Sequence, residues 1–425
     1  MEAHTMLPAP PPQRVKDMVE LIEEILLRLP SGEPDSLVRA AVVCKPWRRL
    51  LSSHRFRRLY RDFHKKPPML GFFQNCLLLG SAAESTFDTY LTTKGSLLAP
   101  ASTNGFLPRD PDGRYGVFDC RHGRVLLKSW DYNNCWAGVS KYVVWDPMKG
   151  SQRPLLTPYQ RGGVNHGVAV LCAVGDCDHS ACHMGPFHVV YITVDNENEL
   201  GDGAWAYVYS SKTRKWSERA FLQLPGDNDH DMDKRPFVLL VAEALFSLII
   251  TFTPTKTRQV IKYDLGDKSL SVFNVPPMVG DWFEIPPALV TAEDGGLGLA
   301  HVDKFGLHLW SYDDGVAEWT LDRVIDLNKM SLPIGDPMIA PQVAGAVEGT
   351  RTIFVVTDLG AYMIDLNSLT SKKLSQEICS SAKEKVVFHV FPYLSFFNRP
   401  DNITGGGAAS IRRSKQNRRP NPKYL

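Results

Sequence analysis

Five residues with soft sulfur or nitrogen donors fall within a dozen positions. Cys172, Cys177, His179, Cys182 and His183 read Cys-x4-Cys-x-His-x2-Cys-His. Thiolates and imidazoles at this density can hold Zn²⁺. The spacing matches no standard zinc finger, so the leading expectation is a loop with incidental thiols, without metal or cofactor. The five residues stand beside it as a candidate ligand set. The eight cysteines, at 44, 76, 120, 135, 172, 177, 182 and 379, are sparse and irregularly spaced, which points to reduced thiols in the cytosol or nucleus. His166 and His188 read as loop or strand-edge residues.

Other catalytic patterns are missing. Arg161-Gly-Gly and Asp294-Gly-Gly-Leu-Gly lack the strand–glycine–helix context and the Lys-Ser/Thr of a phosphate loop, and read as turns. The chain has no Gly-x-Ser-x-Gly elbow and no His-Glu-x-x-His.

A chain of 425 residues, 44% hydrophobic and 22% charged, has room for a large core and more than one domain. Its formal charge of +2 gives no global field to draw it to nucleic acid or an anionic membrane. The charge is segregated: residues 1–66 and 401–425 each carry +5, and the rest carries −8. No stretch at the N-terminus resembles a signal peptide. The longest apolar run, Phe237 to Phe252, contains Glu243 and is shorter than the roughly 20 residues a membrane helix needs. It reads as two buried strands joined at Ala242-Glu243-Ala244. No membrane and no specific nucleic acid is expected as a partner.

Residues 1–14 are Pro-rich and read as a disordered lead. From Val15 the period is helical. Leu21, Ile22, Ile25, Leu26 and Leu29 form an apolar stripe ending near Pro30, with Glu20, Glu23, Glu24 and Arg28 on the other side. Asp35 or Ser36 can cap a second helix with Leu37, Ala40 and Cys44 inward. Pro46 interrupts or restarts it. Ser53 can cap a further segment with Phe56, Leu59, Tyr60 and Phe63 inward. Residues 15–64 therefore form a small unit of three or four helices.

After Pro67-Pro68 the texture turns to short apolar runs between turn residues, an all-β signature. A weak repeat runs through Tyr142-Val-Val-Trp145-Asp146, Trp205 to Tyr209-Ser, Val260 to Tyr263-Asp264, Leu307 to Trp310-Ser-Tyr312-Asp313, and Ala361 to Ile364-Asp365. Most units continue into a second strand, as at Lys215-Trp216 and Glu318-Trp319. Periods near 50 predict a kelch-like β-propeller of about six blades over residues 67–398, with the Gly- and His-rich stretch 161–188 as a long loop. Residues 400–425 are poor in apolar groups and read as a disordered basic tail. Within it, Arg412 to Arg419 suits an import signal, a weak nucleic-acid contact or simply a solvated run.

The segment Leu21-Ile-Glu-Glu-Ile-Leu-Leu-Arg-Leu-Pro30, followed by Ser36-Leu-Val-Arg-Ala-Ala-Val-Val-Cys44-Lys45-Pro46-Trp47-Arg-Arg-Leu-Leu-Ser52, resembles an F-box. The family usually opens with Leu-Pro, where this chain has Asp17-Met18. Val117 to Leu127, Val144-Trp145-Asp146-Pro147 and Glu293 to Leu299 resemble the propeller that follows the F-box in a large class of plant proteins. The resemblance implies a multi-domain fold and a non-catalytic substrate receptor of an Skp-cullin-F-box ubiquitin ligase in the cytoplasm or nucleus. It implies two partners, an Skp-type adaptor leading to a cullin-RING ligase and a target protein of unknown identity. The adaptor contacts would be Met18, Leu21, Ile22, Ile25, Leu29, Pro30, Cys44, Lys45 and Trp47, several of which could instead fill the helical core, Ile25 and Leu29 foremost. Two other readings stand beside this one: a propeller enzyme or small-ligand sensor, and a scaffold that binds the adaptor poorly.

Overall fold

The computed structural model describes residues 13–32, 34–79, 87–93, 114–130, 141–158, 166–175, 177, 179, 182–195, 203–217, 219–224, 229–232, 238–252, 256–276, 287–330, 332–333, 341–375 and 385–396. The lead and the basic tail lie outside these residues, apart from Gln13 and Arg14, which open the first helix. Among the described residues, 13–64 form one unit and 65–396 another. No helix among the described residues is long and apolar enough to cross a membrane.

The first unit contains α1 (Gln13–Leu27), α2 (Pro34–Val43), α3 (Lys45–Ser52) and α4 (His54–His64). Pro46 restarts the chain as anticipated, because its fixed φ suits a first helical turn and Cys44 just before it is extended. The Ser53 hydroxyl accepts the Phe56 amide at 3.1 Å and caps α4. Leu26, Leu37, Val38, Ala41, Leu51, Phe56 and Tyr60 make the core. The Tyr60 hydroxyl donates to the Leu29 carbonyl, and His64 Nε2 donates to that of Leu27, both at 2.9 Å. The Leu27 bond satisfies one orphan carbonyl at the end of α1, and the Leu29 bond holds the turn just beyond it.

The second unit is all β. In chain order it begins with β1 (Met69–Leu79), β2 (Phe87–Thr93), β3 (Arg114–Arg121), β4 (Arg124–Trp130), β5 (Lys141–Asp146), β6 (Ser151–Leu156), β7 (His166–Cys172), β8 (Phe187–Asp195) and β9 (Gly203–Ser210). It continues with β10 (Lys215–Trp216), β11 (Ala220–Gln223), β12 (Asp229–Met232), β13 (Leu239–Val241), β14 (Ala244–Phe252), β15 (Lys256–Asp264), β16 (Leu270–Asn274) and β17 (Ala288–Thr291). The last strands are β18 (Leu297–Asp303), β19 (Gly306–Asp313), β20 (Glu318–Asp326), β21 (Gln342–Val347), β22 (Thr352–Thr357), β23 (Gly360–Asp365), β24 (Thr370–Ser375) and β25 (Lys385–Leu394).

Five antiparallel meanders follow one another: β3–β6, β7–β11, β12–β16, β17–β20 and β21–β24. A three-stranded sheet ordered β2-β1-β25 joins the two ends of the unit and closes the ring. Among the described residues the propeller has five meander blades and this closing sheet, close to the anticipated six. Within the run 237–252, residues 239–241 and 244–252 are β13 and β14, with the turn expected between them. The stretch 161–188, expected as a loop throughout, instead supplies β7, the innermost strand of the second blade. Its unbroken apolar sequence follows from burial on both faces. Val168 and Val170 pack toward Leu126, Tyr142 and Val144 of the first blade. Ala169 and Leu171 pack toward Leu245, Ile249 and Ile261 of the third.

The sequence repeat has a chemical cause. Asp146, Asp264, Asp313 and Asp365 each end the third strand of a blade, and each carboxylate accepts the amides of the turn that follows, at 2.8–3.1 Å. Such Asx turns fix the hairpin leading to the outer strand. The recurring tryptophans tie blades together. Trp216 Nε1 donates to the Leu156 carbonyl at 3.0 Å and Trp319 Nε1 to that of Asn274 at 2.9 Å, in each case on the outer strand of the preceding blade.

An ionic cluster crosses the ring axis. Arg121, at the end of β3 in the first blade, pairs with Asp119 and with Glu348 from the β21–β22 turn of the fifth, and donates to the Val238 carbonyl beside β13 of the third. Glu348 accepts the Leu240 amide at 2.9 Å, and Asp119 accepts that of Val170 at 2.6 Å. Alternate blades of a ring can meet only across its axis, so this cluster bars the channel at one end.

Removing Arg121 would leave two carboxylates without their counter-ion in a buried site, where breaking one partner costs about 3–5 kcal/mol. Arg121→Met is expected to lower the urea midpoint of the propeller by a matching amount. The combination Arg121→Met, Asp119→Leu, Glu348→Met is expected to recover much of that loss. Burial, opposed by Arg121, pushes the Asp119 carboxyl up to about 6, against about 3.9 when unfolded. The folded state therefore holds this proton more tightly, and its stabilising contribution is complete below about pH 4 and lost as pH rises through about 6. In thermal melts from pH 4 to 7, Asp119→Asn should remove this component of the pH dependence.

Candidate functional site

On α1 the apolar residues divide between two faces. Leu26 is buried and Ile22 is half-buried, as is Leu29 just beyond the helix, whereas Leu21 and Ile25, one helical turn apart, are 57% and 52% exposed. Glu23, expected on the solvated side, is only 6% exposed and pairs with Arg55 of α4 at 3.3 Å. The expectation that Ile25 could be interior is overturned: the contact with α4 rotates Glu23 and Leu26 inward and leaves Leu21 and Ile25 outward. Phe63, also expected inward, is exposed. Val42 and Val43 at the end of α2 are exposed as well, at 64% and 63%. Of the other anticipated contact residues, Cys44 and Trp47 are half-buried, and Lys45 and Pro30 are exposed. Met18 lies on α1, and its side chain is outside the described residues. A unit this small exposes apolar surface that a partner can cover.

In the propeller, the connections from first to second strand and from third to fourth leave each blade at the same end. Between the first two blades this face bears a cleft of about 340 Å³, lined in part by Lys149, Arg153, Lys212 and His183 with Asp146. Its rim carries more positive than negative groups. Arg124 lies beneath it, buried at the start of β4 and donating to the carbonyls of Cys182 and Gly185, the latter at 2.8 Å. The Arg124 guanidinium also sits 5.3 Å from the centre of the Phe187 ring.

The β7–β8 connection forms one wall of the cleft and brings four of the five anticipated donors together. The ligand atoms of Cys172, Cys177, His179 and Cys182 all lie within 4.8 Å of one another. His183 is outside this group and packs its Cβ close to Gly123. Burial and the neighbouring Cys172 push the Cys182 thiol up to about 12. His179 stacks on His122 of the β3–β4 turn, ring centres 4.0 Å apart. That contact was invisible in sequence, since His122 belongs to a different blade. Arg121 and Glu348, 227 positions apart, were equally hidden.

A family model described as "F-box protein AT5G49610-like, beta-propeller" matches residues 116–398, and the F-box domain model matches residues 19–59. No curated protein gives a significant match. Among solved structures, TolB from Acinetobacter baumannii is 12% identical at a TM-score of 0.36, with 80% of this chain and 71% of TolB covered. A protein from Lactobacillus plantarum is 13% identical at 0.37, with 75% and 99% covered. The WD40 domain of SCAP from fission yeast is 11% identical at 0.33, with 65% and 57% covered. None of these structural likenesses carries an argument about activity. The propeller match takes in well over half of the chain, and with the helical unit preceding it the chain belongs to the AT5G49610-like family of F-box β-propeller proteins.

Proposed function

We propose that this chain is the substrate-recognition subunit of an Skp-cullin-F-box ubiquitin ligase. The observation that supports this reading best is the outward apolar face of α1, Leu21 with Ile25, within the segment matched as an F-box. An amphipathic helix that keeps large side chains in solvent suits a groove on another protein. F-box domains generally bind Skp1-type adaptors, so the adaptor is the occupant of choice, with Ile22, Leu29, Cys44 and Trp47 supporting the contact and Met18, Pro30 and Lys45 at its edge. The propeller would hold the target protein. Tethering a target beside a ubiquitin-charged enzyme raises effective concentration, and no reacting group is required of the receptor. The carboxylates that meet at the propeller axis are engaged by Arg121 and backbone amides, an arrangement suited to holding blades together rather than to chemistry on a ligand. The ligase role implies residence in the cytoplasm or nucleus.

Co-purification of the full chain with an Skp-type adaptor tests the reading. Each large apolar side chain buried in an interface contributes about 1.5–3 kcal/mol. Leu21→Asp with Ile25→Asp is therefore expected to weaken adaptor binding at least about a hundredfold, with circular dichroism and melting temperature unchanged because both side chains lie in solvent. Restoring Leu-Pro at Asp17-Met18 is expected to tighten binding. A wild-type chain that does not bind the adaptor would overturn the ligase role and favour a scaffold outside it.

A further inference from the structure

We propose that Cys172, Cys177, His179 and Cys182 bind a structural zinc ion that fastens the β7–β8 loop to the propeller. The proposal stands on the geometry of this loop and does not depend on the ligase reading.

The donors come from a strand end, a loop and a short 3-10 turn, and they converge. Cys172 is the last residue of β7 and is held in register opposite Phe187. Cys182 opens the turn Cys182–Met184, where the Gly185 amide donates to its carbonyl at 2.8 Å. Zinc bonds of about 2.3 Å to sulfur and 2.0–2.1 Å to nitrogen place tetrahedral ligands about 3.8 Å apart for a sulfur pair and about 3.6 Å for sulfur and nitrogen. Cys182 Sγ lies 3.5 Å from His179 Nδ1, and all four donor atoms fall within 4.8 Å of one another. Only a small closing movement separates the set from a coordination sphere.

Two contacts around the set suit sulfur once it is bound to a metal. The Val174 amide points at Cys172 Sγ from 3.4 Å, the kind of outer contact that orients a metal-bound sulfur. Three thiolates and one neutral imidazole around Zn²⁺ carry a net charge of −1. The buried Arg124 guanidinium, bound to the carbonyls of Cys182 and Gly185, lies beside that charge and compensates it. Three sulfurs with one nitrogen select zinc over hard cations, and four protein ligands leave no open position, so the site is structural and not catalytic.

The loop also needs such a fastening. Other first-to-second connections are tight turns, as at His122-Gly123 and Ala242-Glu243. The β7–β8 connection runs from 173 to 186 through Gly, Asp, Ser and His, and its large apolar side chains are confined to Val174, which is exposed, and Met184. A metal would order this wall of the cleft where hydrophobic packing cannot. Binding would release three thiol protons to solvent.

The test uses the full chain purified under reductant and without chelator. Elemental analysis should find about one zinc per chain, and X-ray absorption should show a mixed sulfur and nitrogen shell. Cys177→Ser at a half-buried position and His179→Ala at an exposed one should each lower the zinc content severalfold. Cys120→Ser, outside the cluster, should leave it unchanged. Because a variant could lose metal by misfolding, a second measurement uses the wild type: stripping zinc with a thiol-blocking agent and chelator should open the loop to proteolysis between residues 173 and 186. Wild-type protein that is folded yet metal-free, zinc retained in full by both variants, or a disulfide among these cysteines under reductant would each overturn the proposal.

Discussion

The propeller depends on one long-range pairing. β25 lies antiparallel to β1 over nearly its whole length, from Met69 opposite Leu394 to Leu79 opposite Lys385. Without it the row of sheets would end in unpaired strand edges, which water must solvate or another chain will capture. With it the inner strands form a closed circle, and each sheet can bury both faces against its neighbours. Asn75, fully buried on β1, adds a second bond across the junction: its side-chain amide donates to the Val117 carbonyl at 2.6 Å and accepts the Val117 amide at 3.1 Å. It sits where β3 carries a bulge after Val117 and has backbone groups to spare.

The axial cluster and the tryptophan contacts distribute that closure around the ring. Arg121 draws on carboxylates and a carbonyl from three alternate blades, while Trp216 and Trp319 join neighbours at the outer edge. Inner polar pairing and outer indole contacts act at opposite ends of each blade's radius. Between them lie stacked apolar layers with side chains alternating toward the two neighbouring sheets.

Much of this was legible in the sequence because it is local. The Asp that closes the third strand in four of the blades recurs because a hairpin turn needs an acceptor for its amides, and that requirement travels with the chain. Pro46 and Ser53 mark helix starts for equally local reasons. What the sequence could not show depends on residues far apart. The stripe on α1 was visible, but which part of it turns outward depends on where α4 packs, so Glu23 and Ile25 exchanged their expected places. β7 was hidden in a stretch rich in Gly and His because a strand buried on both faces has no alternating pattern to betray it. The Cys/His set was visible as a spacing that fitted no known finger. Its convergence follows from β7 and β8 pairing up to Cys172 and Phe187 and returning the chain to its starting point.

The ring closure also has a consequence for synthesis. The strand that must meet β1 is made last, more than 300 residues after it, so every blade is translated before the circle can shut. Throughout that interval one flank of β1 lacks its permanent neighbour, an invitation to aggregation unless a chaperone shields it. A premature stop anywhere ahead of Lys385 would leave the nascent chain in that state for good, removing not one strand but the condition under which all the others are stable.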